Sequence, residues 1–329
     1  MLSCRIYLFT YKRNQLLPRA IKSLLDQTFT HWVCEIHNDD PSDPFPGQYV
    51  SALQDTRFTL VHHAKNLGAI QSFNLAFAGC EEAYFSLLED DNWWEPTFLE
   101  KAIDFLTRNP SVQVVWSNMR LWQELSGNAW RNTQQTTWPI GEDQLFQWNE
   151  ERQVMGHLHS NGAMVCRNDV APCLVPKNTL FNAVEGVRER QFHHPIALLA
   201  EPLANFSITL TTNRSPDSVK WIATQVMMLA SYIVASPEPD AFFAKSLRYH
   251  RKLCPNPVAN FYMANELLIK RPELNRFFMF RDWCFIVRWI VRNSWSLIKI
   301  KRYITANLNV YNYLLEHTRV RFEEARTKR

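Results

Sequence analysis

The chain has no CxxC pair. Its seven cysteines, Cys4, Cys34, Cys80, Cys166, Cys173, Cys254 and Cys284, are scattered without metal-ligand spacing, which excludes a zinc ribbon or a dithiol redox motif and predicts reduced, mostly buried thiols. There is no internal repeat and no long tract of biased composition, and with a charged fraction of 21% this excludes a solenoid and extensive disorder. Met1 to Thr10 lacks the basic region, apolar run and cleavage site of a signal peptide, so a cytoplasmic chain is expected, at most peripheral on the cytoplasmic face of a membrane. The longest uncharged apolar stretch of note, Trp221 to Ala235, has 15 residues against the ~20 that a spanning helix needs, so no transmembrane segment is expected. No glycine precedes Gly47, so no Gly-rich phosphate loop opens the chain.

What is present is a hydrophobic content of 46%, ample for a packed core, in 329 residues, more than one core usually spans. Arg5 to Phe9, Trp32 to His37, Phe58 to His62 and Ala83 to Leu88 read as buried strands. Asn14 to Gln27 (capped by Asn14, with Pro18 in its first turn), Ala69 to Ala78 and Pro96 to Leu106 read as helices between or after them. Strands alternating with helices predict an α/β fold with a mostly parallel sheet, which binds ligands beyond the carboxyl ends of its strands. Val112 to Ser117 and Ala163 to Arg167 are later strands, and Gly127 to Glu151 reads as an irregular, Trp-rich insertion. After Pro216 the pattern is mainly helical, which predicts a division into residues 1–215 and a helical C-terminal region 216–329.

The strongest local signal is the apolar strand Tyr84 to Leu88 running into Glu89, Asp90 and Asp91, followed by Asn92, Trp93 and Trp94. Adjacent carboxylates repel one another unless they stay solvated or a hard divalent cation neutralises them, and Mg2+ or Mn2+ shared with phosphate oxygens meets that need. The plainer alternative is a solvated acidic turn before the next helix. Three other polar clusters follow strands in the same way: Thr10-Tyr11-Lys12-Arg13, Asn38-Asp39-Asp40-Pro41-Ser42-Asp43, and Asn66-Leu67-Gly68 with Asn74.

Taken in order, these clusters resemble the nucleotide loops and acidic metal motif of family 2 glycosyltransferases, which have the GT-A fold. The resemblance covers the chain up to Leu106. It implies transfer, with inversion, from a nucleotide-diphospho-sugar to a saccharide or lipid-linked acceptor in surface polysaccharide or glycan synthesis. It further implies that Thr10, Tyr11, Arg13, Asn66, Gly68 and Asn74 line the donor, Arg13 suiting the diphosphate. Asp39 would accept from the base, which points to uracil, Asp90 would meet the ribose, and Asp91, with Glu89 beside it, would hold Mg2+ or Mn2+. The local alternatives are an N-cap network for the first loop and an Asx-turn for Asp39 to Asp43.

Sugar transfer needs a base for the acceptor hydroxyl. Relatives carry an acid near a helix start well downstream, and Phe181 to Arg190 occupies a matching place, making Glu185 the candidate and Glu189 the alternative. The sequence departs from the family pattern at Phe9, Phe73, Glu89 and Gly186. These departures leave Asp91 in place and the donor sugar open. A non-catalytic binding protein on the same fold is the alternative function. The histidines at 62 and 63, 157 and 159, and 193 and 194 match no zinc spacing, and His157 or His159 is a candidate acceptor contact.

Net charge is +4, but from Arg276 onward 12 Lys and Arg stand against 4 Asp and Glu, so the tail carries +8 and the rest −4. Arg281, Arg288, Arg292 and Lys299, spaced 7, 4 and 7, fall on one helical line flanked by Phe277, Phe285, Trp289 and Trp295. An anionic membrane surface is the expected partner for residues 276–303, with Met279, Ile286, Ile290 and Leu297 on the packed side. A structural brace with solvated arginines is the alternative. No nucleic-acid module is recognised, so no nucleic acid is expected.

Overall fold

The computed structural model describes residues 2–126, 129–146, 161–169, 173–210, 217–253 and 257–327. They form two compact units: one takes the described residues up to Phe146 with those of 161–174 and 192–210, the other takes 175–191 and everything described from Asp217 onward.

The first unit is an α/β layer structure. β1 (Cys4–Thr10), β2 (Trp32–Asn38), β3 (Phe58–His62) and β4 (Tyr84–Glu89) are parallel, with β2 between β1 and β3 and with β4 on the other side of β1. α1 (Leu17–Leu25), α2 (Phe45–Leu53) and α3 (Ala69–Ala76) connect them, and α4 (Phe98–Arg108) follows. From Ile6 to Phe9 β1 is apolar and buried because both sheet faces are covered. Ile6 and Leu8 join one core layer with Leu17, Ala20, Ile21 and Leu24 of α1, whereas Tyr7 and Phe9 join the other with Phe73 of α3. The positions of α1 are spaced i, i+3, i+4 and i+7, the stripe that a helix buries on a sheet.

The sheet continues from β4 through β9 (Met164–Arg167) and β6 (Val114–Glu124) to β10 (Ile196–Ile208) and the short β5 (Trp93–Trp94). β9 runs antiparallel to both β4 and β6, while β10 runs parallel to β6. Several details differ from the sequence expectation. Asn14 does not cap α1: the helix begins after Leu16, and the Asn14 amide lies 3.3 Å from Asp43 Oδ1 instead. β6 runs on to Glu124 because β7 (Trp130–Thr136) folds back on it, and β8 (Gln144–Phe146) pairs with β10, so the Trp-rich insertion is partly sheet.

The second unit is helical. α5 (Val184–Arg188) is followed by α6 (Ser218–Ala235), α7 (Pro239–Leu253), α8 (Pro257–Ala264), α9 (Phe280–Arg292), α10 (Ser294–Ala306) and α11 (Leu308–Thr327). Residues 175–191 lie before the expected cut near 215 yet group with these helices. The reason is polar bonding: the Asn178 amide donates to Asn307 and Asn309, and Arg190 donates to Thr318 while its guanidinium lies 4.6 Å from the Tyr232 ring. Asp217 caps α6 through its carboxylate on the Val219 N–H. α6 has the length and mean hydropathy of a membrane span, 18 residues at 1.3, but Ala223, Val226 to Ile233 and Thr224 are buried, as in the core helix of a bundle.

The tail is two helices rather than one, broken at Asn293. On the side expected to pack, Ile286 is buried, but Met279 is 51% exposed because it is the N-cap of α9 and lies outside the helical phase.

Candidate functional site

Strands β1, β2, β3 and β4 end on the same edge, and short backbone bonds tie their following loops together. The Asp39 N–H donates to Thr10 O at 3.0 Å, Asp90 N–H to Phe9 O at 3.1 Å, and His63 N–H to Asn38 O at 3.2 Å. Thr10 is buried where β1 ends, and Tyr11, 46% exposed, donates its N–H to Asp90 Oδ2. Lys12 holds φ 57, a left-handed conformation unusual for lysine, in the turn that carries the chain from Tyr11 to Arg13.

Asp39 is 7% exposed, and its carboxylate accepts from His63 Nδ1, the Leu67 N–H and the Gly68 N–H at 2.9, 2.7 and 2.9 Å. An ionised carboxylate offers about four acceptor positions. Three are used to hold the third loop against the second, which leaves about one for an incoming N–H. His63 is itself oriented by His37, whose Nδ1 is 3.1 Å from His63 Nε2, and Glu35 lies 3.3 Å from the far side of His37. Burial first, then the neighbouring His63, push the His37 pKa down to about 4, so it is neutral at pH 7. Asn38, Asp40 and Asp43 form the local turn network instead: Asn38 and Asp43 oxygens accept from the Asp40 and Phe45 N–H groups, and Asp40 accepts from Ser42.

The acidic turn after β4 is organised around Arg13. Its guanidinium pairs with Asp91 and lies 3.4 Å from Asp90 Oδ1. Burial opposes the Arg13 charge most strongly, but Asp91, Asp90 and Glu89 together raise its pKa. Asp90, 4% exposed, is pushed up to about 7 by burial and by Asp91, against the pull of Arg13. Glu89 accepts from the Asn92 amide at 2.8 Å. Among the described residues no three His, Cys, Asp or Glu side chains are grouped as a metal cage. Mg2+ bound with substrate phosphates needs only one or two carboxylates, and Asp91 and Glu89 are the residues of this turn that would supply them.

Arg19 was not singled out by the sequence. Its guanidinium lies between the rings of Trp93 and Trp130, at 3.9 and 4.2 Å, and donates to the Asp91 carbonyl and to Ser207. Burial lowers its pKa to about 10, which leaves it charged at pH 7. This contact ties the backbone of Asp91 to β10 and to the hairpin of β6 and β7. The signal for it, an arginine directly after the proline of α1, is visible only once Trp93 and Trp130 are brought beside it.

Of the remaining sequence-derived residues, Asn66 is exposed in the loop that Asp39 holds, Gly68 caps α3, and Asn74 is half-buried on α3. Glu185 and Glu189 belong to the helical unit: Glu185 is half-buried in the first turn of α5, whereas Glu189 is 3% exposed. His157 and His159 lie outside the described residues.

The sequence profile described as "Glycosyl transferase family 2" matches residues 6–170. A stretch of 95 residues is 39% identical to "Putative colanic acid biosynthesis glycosyl transferase WcaA" of Escherichia coli K12, covering 29% of this chain and 34% of that protein. Another of 100 residues is 28% identical to "Putative teichuronic acid biosynthesis glycosyltransferase TuaG" of Bacillus subtilis 168, covering 30% and 39%. The matched stretches thus span little more than a third of these relatives. The crystal structure of S. aureus TarS in complex with UDP-GlcNAc superposes with a TM-score of 0.63 at 12% identity, covering 100% of this chain and 93% of that one, a likeness of fold.

Proposed function

The chain belongs to glycosyl transferase family 2, and on that premise we propose that it moves a sugar from a nucleotide-diphospho-sugar to a saccharide or lipid-linked acceptor hydroxyl, with inversion. The observation that carries the reading is Arg13 held between Asp90 and Asp91 where β1 and β4 end. A guanidinium already charged and oriented there can exchange a carboxylate partner for the donor's diphosphate with little reorganisation. Tyr11 beside it would line the nucleotide, and Asp90 would meet the ribose.

Asp39, with about one acceptor position open, suits the imide N–H of uracil, which makes a UDP-sugar the preferred donor. That TarS shares the fold and was crystallised with UDP-GlcNAc supports the same choice. A divalent ion, Mg2+ or Mn2+, bound at Asp91 with Glu89 beside it, would supply positive charge against the diphosphate. Glu185 is the proposed proton acceptor for the attacking hydroxyl, favoured over Glu189 because a base must reach its substrate and Glu189 is enclosed. The names of the colanic and teichuronic acid relatives favour a role in polysaccharide assembly.

Calorimetric titration of UDP and GDP with and without Mg2+ tests the donor reading. UDP should bind more tightly than GDP, and Asp39→Asn should weaken UDP on the order of tenfold, since it misplaces one hydrogen-bonding group in a buried site. Absence of binding by either nucleotide would reject it.

A further inference from the structure

Helix α9 turns an apolar row outward. Phe280, Val287 and Val291 are 85%, 57% and 73% exposed, and Cys284 between them is exposed too. At ~100° per residue these four lie within about 60° of one line along the helix. The line roughly opposite carries Asp282 and Ile286, 4% and 1% exposed. A helix that packs on one side ordinarily keeps polar residues on the other, so a row of this kind marks a binding face. Beyond the break at Asn293 the pattern continues on α10, where Trp295 and Ile298 are 78% and 47% exposed and Ile300 and Ile304 are buried.

Cations border this row throughout. Arg281, Arg288 and Arg292 share the adjacent flank of α9, roughly 80° to 120° from Phe280, and Lys299 and Arg302 stand among the exposed apolar side chains of α10. With Lys301, residues 279–302 hold six cations and one acid, Asp282, which is buried and bonded to Arg251 at 2.5 Å. Among the described residues none of the six cationic side chains has an ion pair or hydrogen bond.

We propose that this face of α9 and α10 docks the protein on an anionic lipid bilayer, the row from Phe280 to Ile298 entering the headgroup boundary and the cations meeting the lipid charge. The charge selects the occupant. A second copy of the chain on this face would bring six uncompensated cations against six more, whereas nucleic acid would satisfy the cations and leave Phe280, Val291 and Trp295 in water. An anionic interface takes both halves of the pattern at once. The inference goes beyond the transfer reaction and does not depend on the donor site.

Sedimentation of the full chain with vesicles tests it, using phosphatidylglycerol mixed with phosphatidylcholine against phosphatidylcholine alone. The protein should pellet with the anionic vesicles at low salt, and more weakly as salt is raised. Changing Arg288, Arg292 and Lys299 together to Gln should lower partitioning about a hundredfold, at roughly one order of magnitude for each 1.4 kcal/mol and ~1 kcal/mol for each cation. Phe280→Ser, Val291→Ser and Trp295→Ser together should also release it, with an unchanged melting midpoint because these side chains are exposed. Equal pelleting of wild type and both variants, or no pelleting at all, would overturn the proposal. So would a lipid-free dimer in sedimentation velocity that the serine variant dissociates, since the face would then be a self-association surface.

Discussion

At the scale of single residues, Arg13 and Asp91 are mutual counter-charges, and the consequence is testable. Asp91→Asn removes a carboxylate from a turn and leaves Arg13 beside Asp90. Turnover should fall well over a hundredfold, on the order of the ~3 kcal/mol that one electrostatic stabiliser supplies. The melting midpoint should stay within about 5 °C. Retained turnover would remove Asp91 from the diphosphate and metal role. Glu185→Gln should keep nucleotide affinity and lose kcat, while Glu189→Gln, at a 3% exposed position, should lower stability rather than kcat. The reverse pattern would transfer the proton-accepting role to Glu189. His37 predicts a pH effect of a definite sign. Its pKa falls from 6.5 to about 4 on folding, so the native state binds fewer protons than the unfolded chain between those values. His63 opposes the proton, whereas Glu35 and Asp39 favour it, and burial dominates. Stability present above pH 6.5 is therefore lost as pH falls toward 4, by about 3 kcal/mol. His37→Phe fits the stack on Tyr7 and Phe9, and urea denaturation at pH 7.5 and pH 5 should show a shallower pH dependence in the variant. An unchanged dependence would mean that His37 is not the group responsible.

At the scale of elements, the four strand-end loops act as one assembly because backbone groups bridge them. Gly68 is a clear case: it has φ 77 and ψ 152 at the N-cap of α3, a region open essentially only to glycine, and its N–H is bonded to Asp39. A Cβ there would meet only Asn66 Oδ1, at 3.9 Å, so Gly68→Ala should act through backbone strain of about 1 to 3 kcal/mol rather than crowding. Urea denaturation would read that loss, and UDP affinity should fall with it as the loop is displaced from Asp39. An alanine variant as stable as wild type would contradict the strain. β1 to β4 were legible because each is a short apolar run ending in a polar cluster, and so were the acids and amides at their ends. β10 was not. It carries Glu201 and Pro202 at a bulge, where the Ser117 hydroxyl replaces ladder bonds by bonding to Glu201 O and the Leu203 N–H, a tertiary remedy for a sequence that reads as a break. α2 contains Pro46 and Gly47, poor helix formers, and holds through packing of Phe45, Tyr49 and Val50 on the core. The Arg19 stack and the His37 to Asp39 chain were invisible for a related reason: their partners are 20 or more positions apart and converge only in the fold.

At the scale of the whole molecule, the chain joins a sheet unit that gathers the strand-end loops to a helical unit whose end, from Arg276 onward, carries a net charge of +8. The charge is divided along the chain as well, +8 in the last 54 residues against −4 before them. The helical unit explains how α6 can have the composition of a membrane span, since a helix apolar on most of its sides is equally suited to the centre of a bundle. The central claim concerns the sheet unit, that its edge turns over a nucleotide-diphospho-sugar. The most direct measurement is release of nucleoside diphosphate from a panel of UDP- and GDP-sugars, with saccharide and lipid-linked acceptors, in Mg2+, in Mn2+ and in chelator. The account predicts UDP release from at least one UDP-sugar, rising with acceptor and lost in chelator. Binding of a UDP-sugar with no release under any of these conditions would contradict it.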